Sequence, residues 1–145
     1  MSIGIEEIRR HAELLLDALN RRDFEAIEQM DFFADDARFN SAIAAAEGDT
    51  YLGVEGLRKW AANIDETWED FRIELVRVMP CGDDRVVAEL RNTGRARGSG
   101  APLEMRTGQV WTWRDGVWIG NDSFTDARAA FEAAGVPYEP STRST

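Results

Sequence analysis

The chain has 145 residues, 17 basic against 27 acidic side chains for a net charge of −10, and is 43% apolar and 10% aromatic. That is one domain's length, with enough apolar material for a core that hides roughly 70% of the surface of the unfolded chain; the charge argues against nucleic-acid and anionic-lipid partners. A single Cys81 leaves no internal disulfide and no cysteine-rich metal site, which suits a reducing compartment. No run nears the ~20 apolar residues of a membrane span and the start is not leader-like, so a cytoplasmic protein is expected.

Ile5, Ile8, Ala12, Leu15, Leu16 and Leu19 recur at intervals of three and four. They predict an amphipathic helix over Ile5–Leu19, closing near Arg21 and Arg22, whose charge suits a helix C-terminus. Asp23 is placed to cap a second short helix through about Met30, with Phe24, Ile27 and Met30 inward. Phe32 to Phe39 reads as a turn into a short strand. The small-residue stretch from Asn40 to Thr50 is compatible with a loop or with a weak helical turn. Gly53 to Gly56 opens a third helix carrying Leu57, Trp60, Ala61, Ile64 and Trp68, which stops before Phe71.

From Phe71 the apolar period falls from about 3.6 to 2, the signature of strands. Turn residues at Pro80 to Asp84, Gly98 to Pro102 and Arg114 to Gly116 divide four of them: Phe71–Met79, Arg85–Arg97, Leu103–Trp113 and Val117–Phe124. Successive turns with no helix between them make an antiparallel meander. Asp126 caps a last helix through Ala134, stopped by Gly135 and Pro137. The expected domain covers residues 1–136, followed by a loose, aperiodic tail at 137–145. Helices followed by a meander form an α+β plan. Gly94, Gly98, Gly108 and Gly120 in or beside long strands point to a sharply bent sheet, a cone whose interior suits a small molecule.

Several segments, in this order, resemble the SnoaL-like proteins of the nuclear transport factor 2-like (NTF2-like) superfamily. They are Ala18-Leu19-Asn20 with Asp23 to Ile27 and Phe33 to Ala37, then Tyr51 to Leu57, Asp84 to Val87, Gly98-Ser99-Gly100, Val110 to Gly116 and Asp126 to Gly135. Together they span residues 8 to 136. The resemblance implies a cone-shaped, cystatin-like α+β barrel. Its strongly curved antiparallel sheet would carry the N-terminal helices over its concave face and end in a short C-terminal helix. No one reaction is implied, since the superfamily holds isomerases, dehydratases, epoxide hydrolases, polyketide cyclases and non-catalytic binders. Where ketosteroid-isomerase-like members carry a tyrosine, a base and a strand acid, this chain has Leu15, Asn40 or Ser41, and Gln109. The arginine–aspartate pair of epoxide-hydrolase-like members is echoed by Glu89 and Arg91 in reversed order, with Asp122 and Asp126 further on. Polyketide-cyclase-like members pair an acid with a histidine, and the sole histidine here is His11.

Glu89 and Arg91 lie two apart and share a strand face. That face is either an inward pair able to position a water or an outer, solvated or interface stripe continued by Thr93, Arg95 and Arg97. Asp122 enters the cavity under one parity of the last strand and leaves it under the other, where Val117 and Ile119 are the buried residues. Asp126 reads as a helix cap. His11, beside the apolar stripe of its helix, is either an acid/base group at the pocket mouth or a packed, hydrogen-bonded histidine. The tryptophans are core or cavity lining: Trp60 and Trp68 are eight apart, and Trp111 and Trp113 share a strand face with Met105, Thr107 and Gln109. With Phe124 they make an apolar wall for a neutral, ring-containing molecule.

The sequence therefore predicts a SnoaL-like small-molecule protein with an apolar pocket for a hydrophobic ligand, and a homodimer joined through the outer sheet face. One role is cofactor-independent isomerisation, cyclisation or hydrolysis, with Asp122 or Glu89 as base and Gln109 or Arg91 holding the developing charge. The others are non-catalytic binding and a structural dimerisation module. No cofactor and no metal are expected: His11 and Cys81 lack ligand spacing, and no glycine loop between a strand and a helix is placed to cradle phosphate.

Overall fold

Apolar residues three and four apart draw the first helix onto the sheet. In the computed structural model, which describes residues 4–40 and 50–139, helix α1 (Ile5–Asn20) buries Ile8, Ala12, Leu15, Leu16, Ala18 and Leu19. Helix α2 (Phe24–Glu28) is capped as expected by Asp23, whose carboxylate accepts from the Ala26 N–H. Strands β1 (Phe33–Phe39) and β2 (Tyr51–Leu52) precede helix α3 (Gly53–Thr67). The meander follows as β3 (Trp68–Gly82), β4 (Arg85–Ala96), β5 (Pro102–Arg114) and β6 (Val117–Phe124). Helix α4 (Ala127–Ala134) is capped by Asp126 and closed by Gly135 in the left-handed region, φ +74°. The run at 41–49, including Ser41, and the tail at 140–145 lie outside the described residues. No helix among the described residues is long and apolar enough to cross a membrane.

The six strands form one curved sheet in the order β2-β1-β6-β5-β4-β3, left open between β2 and β3. The antiparallel meander of β3 to β6 is the expected one. Two features were not foreseen. β1 pairs with β6 in parallel, at Phe33 with Trp118 and at Arg38 with Gly120. And Trp68 opens β3 instead of ending α3, packing edge-on to Phe71 with ring centroids 5.2 Å apart.

Bending has local causes. β3 departs from regular register at three places along its pairing with β4, and Gly94 of β4 lies so close to Trp68 and the Glu69 carbonyl that a Cβ there would come within 2.9 Å of both. Asn20 joins α1 to β3: its Oδ1 accepts from Ile73 N–H at 2.8 Å and its Nδ2 donates to Ile73 O at 3.0 Å. One amide thus satisfies both backbone groups of a residue on the open edge of the sheet.

Strand alternation separates two faces. Val86, Ala88 and Leu90 of β4 and Trp111 and Trp113 of β5 join the core under α1, α2 and α3. Val87 and Val110 face the other way and pack with Ala130 and Phe131 of α4. Gly108 lets α4 approach, since a Cβ there would lie 2.5 Å from the Ala130 Cβ.

Candidate functional site

A cavity of about 60 Å³ opens between the helices and the inner sheet face. Leu16 and Leu19 of α1, Leu57 and Trp60 of α3, and Ile73 of β3 supply apolar wall. β1 adds Phe33, Ala37 and Phe39, and β6 adds Trp118. Polar atoms enter from three neighbouring strands: Asn92 of β4, Thr107 and Gln109 of β5, and Asn121 and Ser123 of β6. Arg38 and Asn40 lie at the β1 end, and no carboxylate lines the cavity among the described residues.

The polar groups are coupled to one another. Asn92, only 1% exposed, donates from Nδ2 to Thr107 Oγ1 at 2.9 Å and to Met105 O at 3.2 Å. Gln109 Oε1 accepts from the Trp111 indole Nε1 at 2.6 Å and from Asn121 Nδ2 at 3.0 Å. Asn40 takes the Ser123 N–H on its Oδ1 at 2.7 Å while its carbonyl accepts from Ser123 Oγ. These are neutral amides and hydroxyls, able to orient a ligand but without a group that changes charge near neutral pH.

Of the residues singled out in the sequence, Trp60, Thr107 and Gln109 line this cavity. Trp111 is fully buried behind Gln109, and Met105 is partly buried against the same core. Trp68 lies outside the lining, against Phe71. Asp122 and Phe124 turn to the outer face: Asp122 is exposed opposite Val110, and Phe124 packs against the cluster beneath α4. One β-bulge turns them both. Thr112 pairs with Gly120 but Trp113 pairs with Trp118, so Ile119 is an extra residue and the parity of β6 reverses there. Asn121 and Ser123 come inward in their place.

Glu89 and Arg91 do share a face, the outer one. Glu89 is fully buried there and accepts from Arg77 Nε at 2.7 Å, Arg106 Nη1 at 3.3 Å and the Tyr138 hydroxyl at 3.2 Å. Tyr138, expected in a loose tail, packs edge-on to Phe131 with the Arg77 guanidinium over its ring at 4.9 Å. Burial, with help from the Glu89 charge, raises its phenol pKa. Arg91 instead meets Glu104 at 3.0 Å and Glu74 at 3.3 Å, and its hydrogen bond to Glu104 holds that carboxyl below the usual range. His11 stacks on Phe32, centroids 4.2 Å apart and planes within 4°, and takes no part in the cavity lining. The described residues hold no grouping of three or more His, Cys, Asp or Glu placed to share a metal ion.

Sequence reading passed over Asn92, Asn121 and Ser123. A signal existed for Asn92: an asparagine two beyond Leu90 on an otherwise apolar face is a poor strand former and needs a partner when buried. None existed for Asn121 and Ser123, because the bulge that brings them in depends on pairing across β5 and β6.

Comparison with known proteins follows the same lines. No curated protein matches the chain. Among solved structures it is similar to TsrD from Streptomyces laurentii, at 18% identity over 93% of this chain and 99% of that one, with a TM-score of 0.66. An NTF2-like protein from Burkholderia thailandensis matches at 22% identity over 90% and 98% of the two chains, TM-score 0.64. TerC, co-crystallised with polyporic acid, matches at 20% identity over 86% and 96%, TM-score 0.63. At such identities these likenesses bear on the fold alone. Residues 12–121, most of the sequence, match the SnoaL-like domain, and the chain belongs to that family.

Proposed function

We propose that the protein binds a neutral, ring-containing small molecule in the cavity between its helices and its sheet. The observation that carries this reading is the lining: aromatic and aliphatic walls, a few amide and hydroxyl groups on neighbouring strands, and, among the described lining residues of a chain whose net charge is −10, no carboxylate and a single cation, Arg38, exposed at the β1 end. Such a surface gains from desolvating apolar rings and loses nothing to buried negative charge. TerC, which shares the fold, was crystallised with a small molecule. Acid/base turnover through Asp122 or Glu89 has less support, because both carboxylates belong to the outer face. A homodimer through that face would use the strip beside α4 that carries the ion-paired Glu74, Arg91 and Glu104.

Titration with indane, a bare two-ring hydrocarbon, tests the reading: the space of about 60 Å³ takes only part of it, and the remainder lies toward the exposed Arg38 and Asn40 at the β1 end. Trp60 and Trp118 line the cavity, so occupancy is read from tryptophan emission. A saturable change with Kd on the order of 0.1–1 mM is expected for a ligand this small. Ala37→Leu, which places a larger side chain into the lining, should abolish it while the circular dichroism spectrum is kept. No saturable response from indane or from its ketone, 1-indanone, would refute the proposal.

A further inference from the structure

We propose that Trp111 and Asn121 are positioning residues that hold the Gln109 amide with its NH2 group turned to the cavity, so that this point selects a ligand carrying an acceptor oxygen, such as a ring ketone. The ligand half of the proposal rests on the binding role argued above; the orientation of the amide does not.

Trp111 and Gln109 are two apart on β5 and share its inner face, and Asn121 is Trp111's cross-strand partner. An indole N–H donates and cannot accept, so the atom of Gln109 that it meets at 2.6 Å has to be oxygen. Asn121 Nδ2 donates to the same oxygen at 3.0 Å. With both donors on Oε1, Nε2 is left on the opposite branch of the amide, and no hydrogen bond is recorded for it among the described residues. Gln109 lines the cavity. A flipped amide would set NH2 against the N–H of a fully buried indole, losing the bond and leaving a donor without an acceptor.

Thr107, two residues before Gln109 and on the same face, extends this edge. Its Oγ1 already accepts from Asn92, whose second amide proton is taken by Met105 O. The Thr107 hydroxyl proton is therefore free to donate. Two donor side chains stand at Cα positions roughly 7 Å apart along β5. The edge matches carbonyl oxygens on the rim of an otherwise apolar ring system.

The experiment compares 1-indanone with indane, which differ by the carbonyl, and reads the ratio of their affinities. In the wild type 1-indanone should bind about tenfold tighter. The ratio should fall to near one in Gln109→Met, and to about three or less in Trp111→Phe and in Asn121→Leu, where the amide can turn. A packing role for these residues would weaken both probes together and leave the ratio unchanged, which would overturn the proposal, as would a wild-type ratio of one. A second measurement needs no ligand: in 13C,15N-labelled protein a scalar coupling through the hydrogen bond should link the Trp111 indole nitrogen to the Gln109 side-chain carbonyl carbon. An indole N–H without that coupling and in fast exchange with solvent would overturn the orientation. Should neither probe bind while the orientation is observed, the binding role fails and the amide lock stands.

Discussion

The buried carboxylate under α4 gives the sharpest energetic test, through Glu89→Gln. Breaking a buried ion pair by removing one partner costs about 3–5 kcal/mol where the remaining charge has no route to water. Here Arg77 and Arg106 keep 24% and 33% of their side-chain surface exposed, so each can recover part of its hydration. Glutamine keeps the volume and one acceptor oxygen. Its new NH2 group, however, faces guanidinium groups that only donate; Tyr138 alone can turn its hydroxyl to accept. The expected loss is about 2–3 kcal/mol. With an unfolding entropy of about 2.1 cal/mol/K per residue, a chain of this length should melt roughly 7–10 °C lower. Urea unfolding followed by far-UV circular dichroism measures the loss, and an unchanged m-value would place it in the folded state. Glu89 lies across the sheet from the cavity, so affinity for 1-indanone should hold within about twofold. A loss below about 0.5 kcal/mol would refute the reasoning, and a variant of full stability that no longer bound the probe would return Glu89 to the functional site.

Gly108→Ala drives a methyl to 2.5 Å from the Ala130 Cβ and 2.9 Å from the Ala127 Cα; α4 has to shift, at about 1–3 kcal/mol, and adding Ala130→Gly should recover part of that loss in urea titrations. Asn20→Ala removes both partners of the Ile73 backbone and should cost about 1.5–3 kcal/mol, with faster amide exchange at Ile73 as the local readout. The raised pKa of Tyr138 favours its neutral phenol in the folded state. Stability is therefore complete below the unfolded value near 10 and declines as pH climbs from there through the folded value. Tyr138→Phe should flatten that decline in thermal melts taken between pH 9 and 11.

Local chemistry wrote much of the fold into the sequence. Asp23 and Asp126 announce their helices because a carboxylate at that position meets free N–H groups whatever lies beyond. The hairpins follow from glycine and aspartate where the chain must reverse, as at Asp115 and Gly116, both with positive φ. The cap at Asp126 was readable for what it is, since it depends on residues within a few positions. Tyr138 was not. Its place is set by Phe131, Arg77 and Glu89, the last of them 49 positions away, and no periodicity records a single aromatic residue closing over a buried charge. The same holds for β1 beside β6, where the pairing is parallel and the contact needs the whole intervening chain.

The composition of the cavity turns on one residue of β6. Were Ile119 paired regularly with Thr112, the register of Trp113 with Trp118 would continue to Gly120 opposite Trp111, Asp122 opposite Gln109 and Phe124 opposite Thr107. The inner face would then carry a carboxylate, with its desolvation cost, and an aromatic ring where the cavity now has space. With the bulge, Asn121 and Ser123 take those places, and Asn121 supplies the second donor that pins the Gln109 oxygen. Alternation along a strand predicts which residues go together; it does not say to which side. A single irregularity between two tryptophans decides that here. It leaves Asp122 on the outside of the sheet and the described cavity lining without a carboxylate, the feature on which the proposed binding of a neutral molecule rests.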